Sequence, residues 1–130
     1  IMNELVQNAL KFINQRPEIR QFIANFNNDD SFMFSKSPYI AEISEALKSD
    51  CHSGASFGCM LQECRRRILD DIECGKKLSN IVNTDNMDDD NKTAMKVAET
   101  QGLEACIEHM FTEKDTGRKM TYGEMRMRYG

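Results

Sequence analysis

Hydrophobic residues recur along most of the chain at the three- and four-residue spacings that place them on one side of an α-helix. The apolar positions from Leu5 to Ile13 fall in one wide arc and predict a first helix. Pro17 suits the first turn of a second helix, whose apolar positions continue to Phe26 without a gap. The Asn, Asp and Ser residues at 27–31 then favour a turn, because their side chains compete for backbone hydrogen bonds.

The middle of the chain predicts three further helices. Ser37 followed by Pro38 is the pattern of a helix N-cap and first helical position, and apolar residues follow it at helical spacing. A longer stripe of apolar positions predicts a central helix over 56–74. The apolar residues at 78–82 either extend this helix past Gly75 or form a separate short helix. Another helix is predicted to end at Gly102.

The C-terminal part of the chain predicts two more helices. Apolar residues at 103–111 repeat at helical spacing and predict the first of them. Thr121 and Glu124 have the spacing of a capping box, and Met120 and Met125 have that of a hydrophobic staple, so a short helix follows Thr121. No stretch shows the alternating pattern of a strand, and we therefore expect an all-α fold.

Length and composition favour one domain over residues 1–130, a compact bundle of six to eight helices with a long central helix. The chain has 130 residues, of which 40% are hydrophobic. Its five cysteines cannot all pair within one chain, which predicts reduced thiols and an intracellular location, cytoplasmic or nuclear. Polar residues interrupt every apolar stretch, so no membrane segment is expected. We expect Met2 to begin the natural chain; a fragment of a longer protein is the alternative.

Cysteine and histidine residues are the first candidates for chemistry. Those of a type that binds zinc are Cys51, His52, Cys59, Cys64, Cys74, Cys106 and His109. Their spacing is poor, because Cys59 and Cys64 would point about 140° apart on one helix. Cys64 and Cys106 also fall within apolar stripes, where a thiol acts as a small hydrophobic group. We therefore predict no bound metal or other cofactor.

Three motifs resemble known sites but lack their context. Residues 54–58 match the G-x-S-x-G pattern of hydrolases, but a helix precedes them where that motif needs a strand. We predict instead that Gly54 and Gly58 let another helix pack closely. The aspartates at 85–90 fit no calcium-loop register and suit the first turn of a helix. The arginines at 65–67 do not share a helix face and have acidic neighbours, so an ion-paired surface is expected. No catalytic residue is predicted.

The charge of the chain is unevenly distributed. The formal net charge is −4, yet residues 116–130 carry four basic and one acidic residue, a net charge of +3. Residues 81–115 carry three basic and nine acidic residues, a net charge of −6. Two interpretations stay open at this point. The basic segment either folds back onto the acidic helices or faces outward and binds a partner.

Four residues of the predicted terminal helix share a face whose aromatic and arginine content is typical of protein interfaces. With two neighbouring basic residues they form the predicted partner-binding site, which comprises Arg118, Lys119, Tyr122, Met125, Arg126 and Tyr129. The functional hypothesis is a small non-enzymatic helical module that binds another protein or a second copy of itself. The alternative is a nucleic-acid-associated factor that uses the basic segment, with a structural zinc among the cysteines.

Overall fold

The computed structural model describes residues 2–51 and 53–130, and within these residues the chain forms helices and no strand. The seven α-helices of the described residues are α1 (Met2–Asn14), α2 (Pro17–Asn25), α3 (Pro38–Ala46), α4 (Gly54–Ile81), α5 (Asp89–Gln101), α6 (Leu103–Met110) and α7 (Tyr122–Tyr129). A 3₁₀ turn covers Phe32–Phe34. The predicted all-α fold, with six to eight helices and a long central one, is confirmed. None of these helices combines the length and the hydropathy that a membrane crossing requires.

Helix ends follow the capping chemistry that the sequence predicts. The Ser37 hydroxyl accepts a hydrogen bond from the Tyr39 backbone N–H at 3.2 Å, with Pro38 at the first helical position. Thr121 and Glu124 form both hydrogen bonds of a capping box at the start of α7. These two predicted helix starts are therefore confirmed.

The chain divides into two compact units, and the boundary between them lies within α4. The first unit extends to Leu69, and the second runs from Asp70 to Gly130. Each unit has its own group of buried side chains. The organisation of the chain as one domain stays a prediction.

The first unit buries the apolar stripes of α1, α2, α3 and the N-terminal part of α4. Its buried hydrophobic residues are Leu5, Val6, Ala9, Ile13, Ile19, Ile23, Ala24, Phe32, Ile40, Ile43, Leu47, Phe57, Met60, Leu61, Cys64 and Ile68. The Cys64 sulfur lies 3.7 Å from the Met60 sulfur and 3.9 Å from the Val6 carbonyl oxygen. This thiol is thus part of the core, as its position on an apolar stripe predicts.

Gly54 and Gly58, at the start of α4, make room for Met33. A Cβ added at Gly58 would lie 3.0 Å from the Met33 Cγ, and one at Gly54 would lie 3.3 Å from its Cε. The prediction that these glycines allow close packing is correct. The prediction that the close neighbour is another α-helix is wrong. The neighbour is a side chain of the 3₁₀ turn, which is too short for helix periodicity to reveal.

The second unit buries Ala94, Ala98 and Cys106, which form the core between α5 and α6. The partly buried side chains that pack against this core are Met95, Val97, Met110 and Tyr129. The Cys106 thiol lies 3.2 Å from the Ala94 carbonyl oxygen. Small side chains at these positions let the two helices approach closely.

Gly75 lies inside α4 because the backbone of α5 leaves no room for a side chain there. A Cβ added at Gly75 would lie 1.8 Å from the Ala98 carbonyl oxygen, far below van der Waals contact. Of the two alternatives for residues 78–82, the continuation of the central helix past Gly75, as far as Ile81, is correct. Glycine costs about 1 kcal/mol in a helix interior, and the close approach of Ala98 offsets that cost.

We predict that Gly75→Ala lowers the free energy of unfolding by about 3 kcal/mol, because the new methyl group must displace backbone rather than a mobile side chain. Urea denaturation followed by far-UV circular dichroism measures this change. Gly123→Ala is the matched control, since Gly123 is an exposed residue of α7 and a Cβ added there would lie 4.0 Å from the Thr121 Oγ1. Equal stability of the two variants would contradict the close approach at Gly75.

Candidate protein-interaction surface

The basic C-terminal segment begins in a tight reversal of the chain that follows α6. The Met120 backbone N–H donates to the Phe111 carbonyl oxygen at 2.6 Å, and the Glu113 N–H donates to the Arg118 carbonyl oxygen at 2.9 Å. Gly117 adopts a positive φ of 71° at the turn, a conformation that glycine accepts without steric cost. This 111–120 turn places Arg118 beside Glu113 within the turn and Lys119 beside Glu108 of α6.

Arg118 bridges two carboxylates of the second unit. Its Nη2 lies 2.9 Å from the Glu113 Oε2 and 2.6 Å from the Glu124 Oε2. Hydrogen bonds from Arg118 hold the pKa of Glu124 down at about 2. Hydrogen bonds to Glu124 and Glu113 raise the pKa of Arg118 further above its ordinary range. Glu124 thus joins the 111–120 turn to α7 in addition to capping that helix.

Lys119 and Arg128 also have carboxylate partners within the second unit. Lys119 Nζ lies 2.8 Å from Glu108 Oε2 in α6. Arg128 Nε lies 3.3 Å from Asp90 Oδ2 in the first turn of α5, and Lys114 shares that carboxylate. The hydrogen bond from Arg128 makes the largest contribution to lowering the pKa of Asp90, and the hydrogen bond from Lys114 makes the next largest. Lys119 and Arg128 thus pair with α6 and α5, as the internal interpretation predicts. Arg118 also fits that interpretation through Glu113, which belongs to the acidic region 81–115 but lies after α6.

Two members of the predicted partner-binding face point inward. Met125 is only 8% exposed and is counted among the buried residues of the second unit. Tyr129 is half-buried and packs against the core formed by Ala94, Ala98 and Cys106. Met125 thus offers little contact surface in this structure. An apolar residue on a terminal helix serves the core when that helix docks on its own unit.

Three exposed side chains of α7 together span about 140° of its outward side, and we call them the α7 outer face: Tyr122, Arg126 and Met127. Tyr122 is 64% exposed and Met127 is 90% exposed. Arg126 Nη1 donates to the Tyr122 hydroxyl at 3.0 Å, and its guanidinium carbon lies 5.8 Å from the centre of the Tyr122 ring. In the part of the chain that the structure describes, Arg126 forms no ion pair.

Sequence reasoning missed Met127, because the residue lies on the opposite side of α7 from Met125. The available signal was an apolar residue between two arginines in a terminal helix. Such a residue gains little from folding and is a candidate for contact with another molecule.

The zinc-binding candidates are dispersed. Burial raises the pKa of the Cys64 thiol to about 12 and also raises the pKa of Cys106. Cys59 and Cys74 are exposed, and Cys51 is half-buried. Among the described residues no three His, Cys, Asp or Glu side chains converge in a way that would hold a metal ion. His52 lies outside the described residues.

The remaining motifs take structural positions. Residues 54–58 begin α4, so the G-x-S-x-G match lies in a helix. Asp88 caps α5 by accepting a hydrogen bond from the Asn91 N–H at 2.9 Å, which confirms the predicted place of the acidic cluster. Arg66 and Arg67 form ion pairs with Glu63, as predicted, whereas Arg65 donates to the Phe26 carbonyl oxygen and to the Asn28 Oδ1.

His109 is a titratable group in the second unit that sequence reasoning left at a helix edge. Its Nε2 is buried and has no hydrogen-bond partner among the described residues. Burial is the main cause that lowers the pKa of His109, and the positive charges of Lys114 and Arg128 add to it, whereas Asp90 opposes it. The folded chain therefore favours the neutral imidazole.

Comparison of the chain with protein-family models, with curated proteins and with solved structures gives no match.

We predict that the second unit loses stability in mild acid because of His109. Its folded pKa lies below the ordinary value of about 6.5, so protons bind the unfolded chain more readily. The contribution of His109 is complete above that ordinary value and declines as the pH falls towards the lower, folded pKa. Between about pH 7.5 and pH 5, wild type should lose stability that His109→Gln keeps.

Urea denaturation of both chains across this range measures the effect. The stabilising contributions of Asp90 and Glu124, whose pKa values are lowered, are lost only as the pH falls below the ordinary values of these carboxyls, so they do not distinguish the two chains in this range. Parallel curves for wild type and His109→Gln would show that the folded state does not disfavour the imidazolium.

Proposed function

We propose that the chain is a non-enzymatic protein-interaction module and that the α7 outer face contacts a partner protein. The observation that carries the proposal is the composition of that face: Tyr122 and Met127 expose large apolar surface, and Arg126 between them has no carboxylate partner in the described residues. Tyrosine and arginine are enriched among the residues that dominate the energy of protein interfaces.

The order of α7 supports this proposal. The capping box, the burial of Met125 and the pairing of Arg128 with Asp90 fix the orientation of the helix within the second unit. The α7 outer face is therefore already formed before a partner binds. A preformed surface loses less conformational entropy on binding than a disordered segment does.

The chemistry of the α7 outer face favours a partner that presents a carboxylate beside apolar side chains. Arg126 supplies donors that match a carboxylate in planar geometry, and Met127 and the Tyr122 ring supply apolar area next to them. A symmetric contact between two copies would bring two Arg126 side chains near one another, which like-charge repulsion disfavours. A different protein is thus a better occupant than a second copy.

The nucleic-acid alternative is weaker for an electrostatic reason. Arg118, Lys119 and Arg128 are each paired with carboxylates. A phosphate would have to displace those partners and would remain close to their negative charge. Binding to a phosphate backbone needs Lys and Arg side chains that can neutralise phosphates and release the counterions condensed on the nucleic acid, and three of the four basic residues of this segment already neutralise carboxylates.

The groups with shifted pKa values also support a non-enzymatic role. Cys64 and Cys106 are thiols whose pKa is raised by burial, and an activated cysteine needs the opposite shift. Glu124 has a lowered pKa because it is held in an ion pair with Arg118. These shifts accompany packing and pairing rather than a cleft prepared for proton transfer.

A displayed random library can be selected for peptides that bind the chain. We predict that the peptides whose binding requires α7 carry Asp or Glu beside large apolar residues. The triple variant Y122A/R126A/M127A should bind such peptides at least about tenfold more weakly, since it removes an aromatic, a cation and an apolar contact. Isothermal titration calorimetry with synthetic peptides measures the affinity. Alanine at these exposed helical positions keeps the fold, which circular dichroism verifies.

Lys77→Ala is the matched control, because Lys77 is an exposed cation on a different helix. It should leave the affinity unchanged. Peptides that bind the triple variant as tightly as wild type would remove α7 from the contact surface. Tighter and steeply salt-dependent binding of a single-stranded oligonucleotide, lost in the variants R118Q and K119Q, would replace the proposal with the nucleic-acid alternative.

A further inference from the structure

A pocket on the first unit joins aromatic and acidic groups on a different surface from the α7 outer face. It has a volume of about 530 Å³ and is lined by Phe26, Asp29, Asp30, Ser31, Phe34 and Ser35. These residues belong to the connection between α2 and α3, with the 3₁₀ turn at its centre. We call it the aromatic–acidic pocket.

The aromatic part of the pocket combines a fixed ring and an exposed ring. Phe26 stacks on Phe32 with ring centres 3.9 Å apart and meets Phe22 edge-on at 5.7 Å, so its ring is held by neighbours. Phe34 is 80% exposed, whereas Phe32 in the same 3₁₀ turn is 1% exposed. The turn therefore buries one phenylalanine and leaves the other beside the pocket.

The acidic part of the pocket carries charge that the first unit does not neutralise. Asp29 and Asp30 are exposed, and among the described residues neither forms an ion pair. Their backbone is fixed, because the Asp29 N–H donates to the Asn27 Oδ1 and the Asp30 N–H donates to the Asn27 carbonyl, both at 3.0 Å. Of the cations near this connection, Arg65 donates to the Phe26 carbonyl oxygen and to the Asn28 Oδ1, and Lys36 is an exposed residue of the connection itself.

We propose that the aromatic–acidic pocket binds an arginine or lysine side chain of a partner protein. The faces of Phe rings attract cations through their quadrupole, and two nearby carboxylates complement the same charge. A purely apolar ligand would leave those carboxylates partly desolvated without a partner. The volume accommodates a basic side chain together with the backbone that carries it. This proposal does not rest on the α7 outer face.

The test uses the full chain and a fluorescein-labelled peptide in which arginines alternate with glycine and serine. Fluorescence anisotropy should show saturable binding of this peptide, and the citrulline version, which has the same shape without charge, should bind at least about tenfold more weakly. Shifts of ¹⁵N–¹H nuclear magnetic resonance signals should concentrate at residues 26–35.

Two variants separate the charge from the rings. D29N/D30N should weaken binding about tenfold, and F34L, which keeps apolar area but removes the ring, should weaken it about threefold. D85N/D89N is the matched control for charge: it removes two exposed carboxylates from the second unit and changes the net charge of the chain equally. It should leave binding unchanged.

Equal loss in D29N/D30N and D85N/D89N would reduce the effect to the net charge of the chain and overturn the site. Equal binding of the citrulline peptide would overturn the contribution of the cation. Unchanged binding by F34L would overturn the contribution of the Phe34 ring. Displacement of the peptide by tetramethylammonium at concentrations below that of the peptide would assign the pocket to small ammonium ions and overturn the protein partner.

Discussion

The docking of the C-terminal segment onto the acidic helices of the second unit determines which side chains that unit exposes. Its ion pairs lie at the surface, and an exposed pair contributes only about 0–1 kcal/mol. The burial of Met120 and Met125 contributes more, at about 1.5–3 kcal/mol for a fully buried side chain of this size. The apolar contacts therefore supply the stability, and the pairs of Arg118 and Arg128 fix the orientation. With α7 held in this orientation, Tyr122 and Met127 have no place inside.

In the first unit, the local geometry of the chain likewise leaves a large apolar side chain exposed. Three consecutive large apolar residues form the 3₁₀ turn, and such a turn directs successive side chains about 120° apart. Phe32 enters the core, Met33 covers the small residues of α4, and Phe34 is left exposed. No rearrangement of three neighbouring residues in one tight turn buries all of them in the same core. An exposed aromatic ring next to Asp29 and Asp30 is thus a consequence of chain geometry.

The elements that local patterns control could be predicted from the sequence, and those that long-range contacts control could not. Helix starts at Ser37 and Thr121 depend on side chains within three residues, and both were recognised. The continuation of α4 through Gly75 depends on Ala98, which is distant in sequence, so the alternatives stayed open. The same holds at the candidate site. Its aromatic and basic residues were found, but the carboxylate partners of Arg118 and Arg128 become neighbours only when the 111–120 turn and α7 have formed.

The two proposed surfaces have opposite electrical character, which bears on whether copies of the chain bind one another. Arg126 of one copy has the chemistry that the aromatic–acidic pocket of another would accept. Such a contact would join a surface of the second unit in one copy to a surface of the first unit in another. Stable association needs about 800 Å² from each partner, more than one arginine and its neighbours on an eight-residue helix provide. A contact of this kind between copies would therefore be transient and would leave both proposed surfaces accessible to a larger and better-matched protein.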